Sequence, residues 1–260
     1  MIRTHGQFTK TIPFTKGTDM NFFTPEWLND RIVAQMHEPM RKTQNASVFS
    51  ERFFEKLYKV EKKAFIRYYK RAARLQRIPF DTAATEKQFD LNYEENLAFV
   101  KANLPADILS DVKDVRVLAL GSVEYDVAAR IERFCGQLKR KCRDVEEQYE
   151  EQLESVAEKT GWDTVHALDN LIDAQIESVD AAAGDVVISL YAEDTRASLT
   201  VILRGADLPQ SSQNAVGGIV CRPELVESEG NLAFGLLCVN NDSVPFTLEV
   251  TAQSVEIKSN

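Results

Sequence analysis

The chain has 260 residues, 44% of them hydrophobic, and a formal net charge of −9 at pH 7. That is enough apolar material for one large core or two ordinary ones. The longest apolar runs, around Val115 to Leu120 and Ala233 to Val239, are strand-sized, which excludes a membrane-spanning helix.

Met1 to Asp19 holds no continuous apolar region, which reads against a secretory signal, so the expected compartment is cytoplasmic. Four cysteines without a Cys-x-x-Cys spacing fit reduced, buried thiols. Cys135 and Cys142 are seven residues apart, roughly 10 Å along a helix, too far for a disulfide. Cys221 and Cys238 fall in a strand-rich region and read as free core thiols in preference to a facing pair.

Charge is unevenly spread. Residues 1–80 carry +9, residues 81–160 carry −7 and residues 161–260 carry −11. Such asymmetry bears on partners and docking rather than on fold.

In chain order, residues 1–19 read as an extension ahead of the fold. Thr24 suits a helix N-cap and Pro25 a first helical position, with Trp27, Ile32 and Val33 as a short apolar face and Pro39 as the stop. Arg41 to Ala46 is polar and reads as a loop. Ser50 then caps the clearest helix, which runs to Arg77. Its apolar stripe is Phe54, Tyr58, Phe65, Tyr68, Ala72 and Leu75. Arg52, Lys56, Lys59, Lys63, Arg67, Lys70, Arg74 and Arg77 lie about 200° away, at steps of three and four.

A further helix is predicted from about Thr85 to Lys101, on Phe89, Tyr93, Leu97 and Val100. Leu104 to Gly121 follows, the stretch around which the chain is arranged. Ile108, Val112, Val115 and Ala119 share a helical face, with a buried strand over Val115 to Leu120 as the competing reading. A long helix is expected from Val123 to Lys159, with an acidic row of Asp144, Glu147, Glu151, Glu154 and Glu158. Gly161 stops it.

Beyond Gly161 the apolar period changes to two. Trp162 to Ile172 reads as a short helix capped by Asp163. Strands are predicted over Ala174 to Val179, Asp185 to Ala192, Ala197 to Arg204, Gly218 to Cys221, Leu232 to Val239 and Phe246 to Ile257, the last interrupted. The predicted class is α+β: an all-helical part over 20–160, then an antiparallel β-sandwich or small barrel over 161–260.

LPADILSDV, DVRVLALGSV and VAARIERFC, with Phe23, Thr24, Pro25, Glu26 and Trp27 in an FT-x-x-W motif, resemble an uncharacterised family of bacterial proteins, a domain of unknown function. The likeness spans Met20 to Gln152 well and the remainder loosely. It implies a two-part layout and supplies no activity. Members of that family tend to carry a His-Asp pair ahead of the first C-terminal strand. Ile172 and Asp173 stand there in this chain, so any role requiring that imidazole is not carried over.

Candidate chemistry is thin. His5 and His37 have no second ligand at useful spacing. His166, Asp169 and Asp173 would share a face on a continuous helix and form a weak polar cluster, although Asp-rich segments commonly cap helices and solvate turns. No Gly-x-Ser-x-Gly elbow is present, and Gly217-Gly218 lacks a phosphate-loop pattern. No cofactor or metal is expected.

The basic row is the most informative feature. It reads first as a solvated face, next as a surface that docks intramolecularly on the acidic row, and last as a polyanion-binding face. Lys63, Arg67, Lys70 and Arg74 are the candidate interaction residues. The −11 of residues 161–260 and the lack of a reactive constellation make the leading expectation a non-catalytic interaction protein with an acidic β domain and a basic protein partner, which an immunity role would suit by analogy. The alternatives are an enzyme or small-molecule binder with a pocket between the two halves, and polyanion binding through residues 51–77. The acidic total disfavours nucleic acid, and nothing in the sequence sets the oligomeric state.

Overall fold

The computed structural model describes residues 22–38, 40–207 and 212–259. The extension expected over 1–19, with His5, lies outside them, as does Pro39. A helical part occupies residues 25–171 and a seven-stranded antiparallel sheet residues 175–259, an α+β arrangement. By packing, the chain forms two compact units, one over Ile32–Leu138 and one in which Lys139–Asn260 joins the segment up to Arg31. The change of apolar rhythm at Gly161 and the division of the cores at Leu138 are therefore different boundaries.

In the first unit the helix starts follow local chemistry. Ser50 Oγ accepts from the Phe53 N–H at 3.3 Å to open α2 (Glu51–Gln76), and Asp81 Oδ1 accepts from the Ala84 N–H at 3.0 Å to open α3 (Thr82–Asn103). α2 closes at Arg77 in the left-handed region, φ 56°, with Pro79 following. α3 begins three residues before the predicted Thr85.

The central stretch is helical, but in two pieces. α4 (Ala106–Asp111) ends at Val112, and Asp114 caps α5 (Val115–Ala119) by accepting from the Arg116 N–H. Each short helix places apolar residues inward: Ile108 and Leu118 share a core with Val100, Leu104, Val123, Val127, Ile131 and Cys135. Gly121, at φ 74°, takes the left-handed turn that α5 needs to leave the core. Ser122–Val123 then pairs in parallel with Arg41–Lys42, fixed by Arg41 N–H to Gly121 O at 2.7 Å and Thr43 N–H to Val123 O at 2.8 Å. The predicted loop at Arg41 to Ala46 is thus a two-residue strand followed by a 3-10 turn over Gln44–Ser47. Nothing in its polar sequence signals the pairing, because a distant turn imposes it.

α6 (Tyr125–Thr160) runs unbroken through Gly136 and stops at Gly161. α7 (Trp162–Leu168) then leads through a 3-10 turn at Asp169–Leu171 into the strands. Gly161, not Asp163, holds the N-cap position of α7.

Counting the short strands Arg41–Lys42 and Ser122–Val123 as β1 and β2, the sheet is built from β3 (Gln175–Ala182), β4 (Asp185–Ala192), β5 (Ala197–Arg204), β6 (Ile219–Ser228), β7 (Asn231–Val239), β8 (Pro245–Ala252) and β9 (Ser254–Ser259), in the order β8-β7-β6-β3-β4-β5-β9, all antiparallel. β8 (Pro245–Ala252) and β9 (Ser254–Ser259) are separated by Gln253 alone, yet lie at opposite ends of that order. With adjacent α-carbons only about 3.8 Å apart, the sheet must roll until its two edges meet at this corner, giving a partly closed barrel.

β4 (Asp185–Ala192) and β5 (Ala197–Arg204) fall on their predicted limits. β6 extends far past the predicted Cys221, over Ile219–Ser228, because Pro223 costs it little. Beyond Val220 the only strand paired with it is β7, so the missing N–H faces the side that has no partner strand. Gly218 permits close packing: a Cβ there would sit 2.6 Å from Phe246 Cζ. Val156 and Ala157 of α6, with Val165, Leu168 and Leu171, complete the core inside the strands. None of the four cysteines forms a disulfide, and burial pushes the Cys221 thiol up to about 11.

Candidate functional site

The exposed side of α2 is the surface that packing leaves unused. α3 covers α2 from one direction through a ladder of rings: Tyr58 meets Phe89 and Tyr93 edge-on at 5.2 and 5.1 Å, and Phe65 meets Phe89 at 5.5 Å. Asp90 accepts from Tyr58 Oη at 2.6 Å and from Lys62 Nζ at 2.8 Å. At the start of α2, Arg116 lies over the Phe54 ring at 4.2 Å and pairs with Glu51 and the buried Asp114. The central stretch thereby clamps one end of α2 through a single guanidinium.

This cover is one-sided: Ala73 is still buried near the far end of α2, but part of the apolar stripe stays open. The predicted apolar stripe divides: Phe54, Tyr58 and Phe65 turn toward α3 and Ala72 is half-buried, whereas Tyr68 is 48% exposed and Leu75 75% exposed. With Val60, those two form an open apolar strip. At about 100° per residue this strip adjoins the row Arg52, Lys56, Lys59, Lys63, Arg67, Lys70, Arg74 and Arg77, every member of which is exposed. Among the described residues none of the eight forms an ion pair, whereas Lys62, one position off the row, pairs with Asp90. A shallow concavity on the row is lined by Arg52, Glu55, Lys56, Lys59, Val60 and Lys63. Lys63, Arg67, Lys70 and Arg74 thus stand side by side in solvent, as their spacing predicts.

The acidic row on α6, Asp144, Glu147, Glu151, Glu154 and Glu158, is likewise exposed throughout. Among the described residues its only ion pair is Glu147 with Arg143, at 3.4 Å on the helix surface.

His166, Asp169 and Asp173 do not share a helical face. α7 ends at Leu168, Asp169 opens the 3-10 turn, and Asp173 sits at φ 64° with its N–H donated to Val220 O at 2.8 Å. The His166 ring stacks on Trp162 at 5.7 Å. Among the described residues no group of three His, Cys, Asp or Glu side chains is placed to hold a metal ion.

The FT-x-x-W residues have a structural use. The Trp27 N–H donates to Thr24 Oγ1 at 3.2 Å, opening α1 (Pro25–Val33) as the sequence predicts. Phe23 is fully buried against Trp27 and Tyr149, each at 4.8 Å, with the Arg222 guanidinium 5.1 Å from its ring. Its N–H donates to the buried Glu224 carboxylate at 3.1 Å. Tyr149 Oη accepts from the Leu225 N–H at 3.0 Å, satisfying β6 on the side where it has no partner strand. Burial raises the Tyr149 hydroxyl above its ordinary value and keeps it neutral. Trp27 Nε1–H reaches Cys142 O at 3.4 Å, and Lys141 and Asp30 pair at 2.6 Å. Sequence reasoning identified the motif but not its partners, Tyr149, Arg222 and Glu224, which lie far along the chain.

No protein-family model, curated protein or solved structure matches this chain. No helix among the described residues is long and apolar enough to cross a membrane.

Proposed function

We propose that the chain is an interaction protein whose contact element is the exposed side of α2. One observation carries this reading: a full-length cationic row and an open apolar strip lie side by side on a helix whose other side is already packed. A surface that serves only solubility has no use for the strip, whereas a binding surface draws steering from charge and affinity from apolar burial. The partner is a protein that offers a row of carboxylates to these cations. The acidic β domain remains a second surface suited to a basic partner.

Cross-linking in cells with a lysine-reactive reagent tests the proposal. Lys56, Lys59, Lys63 and Lys70 should give most of the links to other chains. A map in which these lysines link only to their own chain counts against it.

Tyr68 and Tyr69, exposed among the cations, favour a second reading, single-stranded nucleic acid held by stacking and phosphate contacts. Gel shift at low and moderate salt should then show a complex that is lost when Lys63, Arg67, Lys70 and Arg74 become Glu. No shift at low salt removes this reading.

A further inference from the structure

The two exposed charged rows match each other in spacing as well as in sign. Lys63, Arg67, Lys70 and Arg74 follow one another at steps of four, three and four. Glu147, Glu151, Glu154 and Glu158 follow at the same steps. Each set lies on a continuous helix, α2 or α6, and spans about 16 Å at the usual rise. Because four-three-four reads the same in both directions, the rows can pair with their helices parallel or antiparallel. Both rows are exposed along their length. Among the described residues, the basic set has no ion pair and the acidic set has only the surface pair between Arg143 and Glu147.

We infer that α2 of one molecule docks on α6 of a second copy of this chain, Lys63, Arg67, Lys70 and Arg74 facing Glu147, Glu151, Glu154 and Glu158. The inference rests on the reading of α2 as a contact surface and names its occupant. A regular ladder of four unlike pairs differs from scattered surface ion pairs, since fixing the two helices once aligns every pair. Each exposed pair is weak and screened by salt, so the assembly is reversible, concentration-dependent and strongest at low ionic strength. One copy offers its basic row and the other its acidic row. Each copy carries both rows, so a reciprocal pairing closes as a two-fold dimer, whereas a one-way pairing is heterologous and continues until the copies close on themselves.

Sedimentation velocity over a range of concentrations and salt tests this directly. Wild-type protein should show species heavier than the monomer at low salt, reverting to monomer as salt rises. K63E/R67E/K70E/R74E and E147K/E151K/E154K/E158K should each be monomeric, with self-association weakened about a hundredfold or more. An equimolar mixture of the two should regain a complex, because the reversed rows are complementary again. Circular dichroism of each variant checks that the helices persist, and the salt series on wild type stands even if one variant misfolds.

A wild-type monomer under all these conditions overturns the inference. So does self-association that neither reversal changes, or two monomeric reversals that do not combine. If the protein is monomeric while α2 lysines still cross-link to other proteins, the inference fails and the broader reading of α2 stands. If neither occurs, both fail.

Discussion

The aromatic cluster around Phe23 and the outer half of α2 are built from the same kinds of residue, rings interleaved with charges, and meet opposite fates. In the first, Phe23, Trp27 and Tyr149 enclose one another, the Glu224 carboxylate accepts a main-chain N–H, and Arg222 faces a ring. In the second, Tyr68 and Leu75 face water and eight cations stand without ion pairs among the described residues. Composition is the same signal in both places. What separates an anchor from a contact surface is whether another element arrives to cover it.

Substitutions should reveal that contrast in order of size. Replacing Phe23 by Ala removes a fully buried ring and should destabilise the protein by about 3 to 5 kcal/mol, read from the urea midpoint. A loss below about 1 kcal/mol would show that the FT-x-x-W segment is not an anchor.

Arg116→Ala should cost about 2 kcal/mol, since it leaves the buried Asp114 without its cation. The loss should fall on the α2–α3 hairpin, with hydrogen exchange at Glu51 to Tyr58 rising before exchange in the strands. Uniform acceleration through both units would argue against α5 clamping α2.

A smaller effect is expected at Asp90. Hydrogen bonds from Lys62 and then Tyr58 hold its carboxyl below the usual range. A depressed folded-state pKa means that the stabilisation is present above the unfolded value and fades as pH falls through the folded one. Because the carboxylate is partly exposed, the effect is about 0.5 kcal/mol. Asp90→Asn should lose it at neutral pH and show a shallower decline of stability in acid. Parallel pH profiles for the two proteins would contradict the assignment.

Smallest of all should be the stability change from reversing Lys63, Arg67, Lys70 and Arg74. These side chains are exposed and form no ion pairs among the described residues, so the change should stay within about 0.5 kcal/mol.

Much of the fold is legible in the residues. Thr24, Ser50 and Gly161 mark real helix limits, and β4 and β5 begin and end where the period of two does. What local sequence missed is tertiary in origin. The Arg41–Lys42 strand is imposed by Gly121, β6 passes through Pro223 because its other side lacks a partner strand, and the central helix divides where Asp114 captures the next turn. The candidate surface was half legible: spacing placed the cationic row in solvent, but periodicity put Tyr68 and Leu75 inside. A helical period says which residues share a face, not how much of that face a neighbour covers.

Partner retention by wild-type protein and by K63E/R67E/K70E/R74E at physiological salt, measured beside their unfolding midpoints, tests the central claim most directly. The contact-surface account predicts the same midpoint and loss of the bound partner, whether a second copy or another protein. Equal retention by both proteins would contradict it.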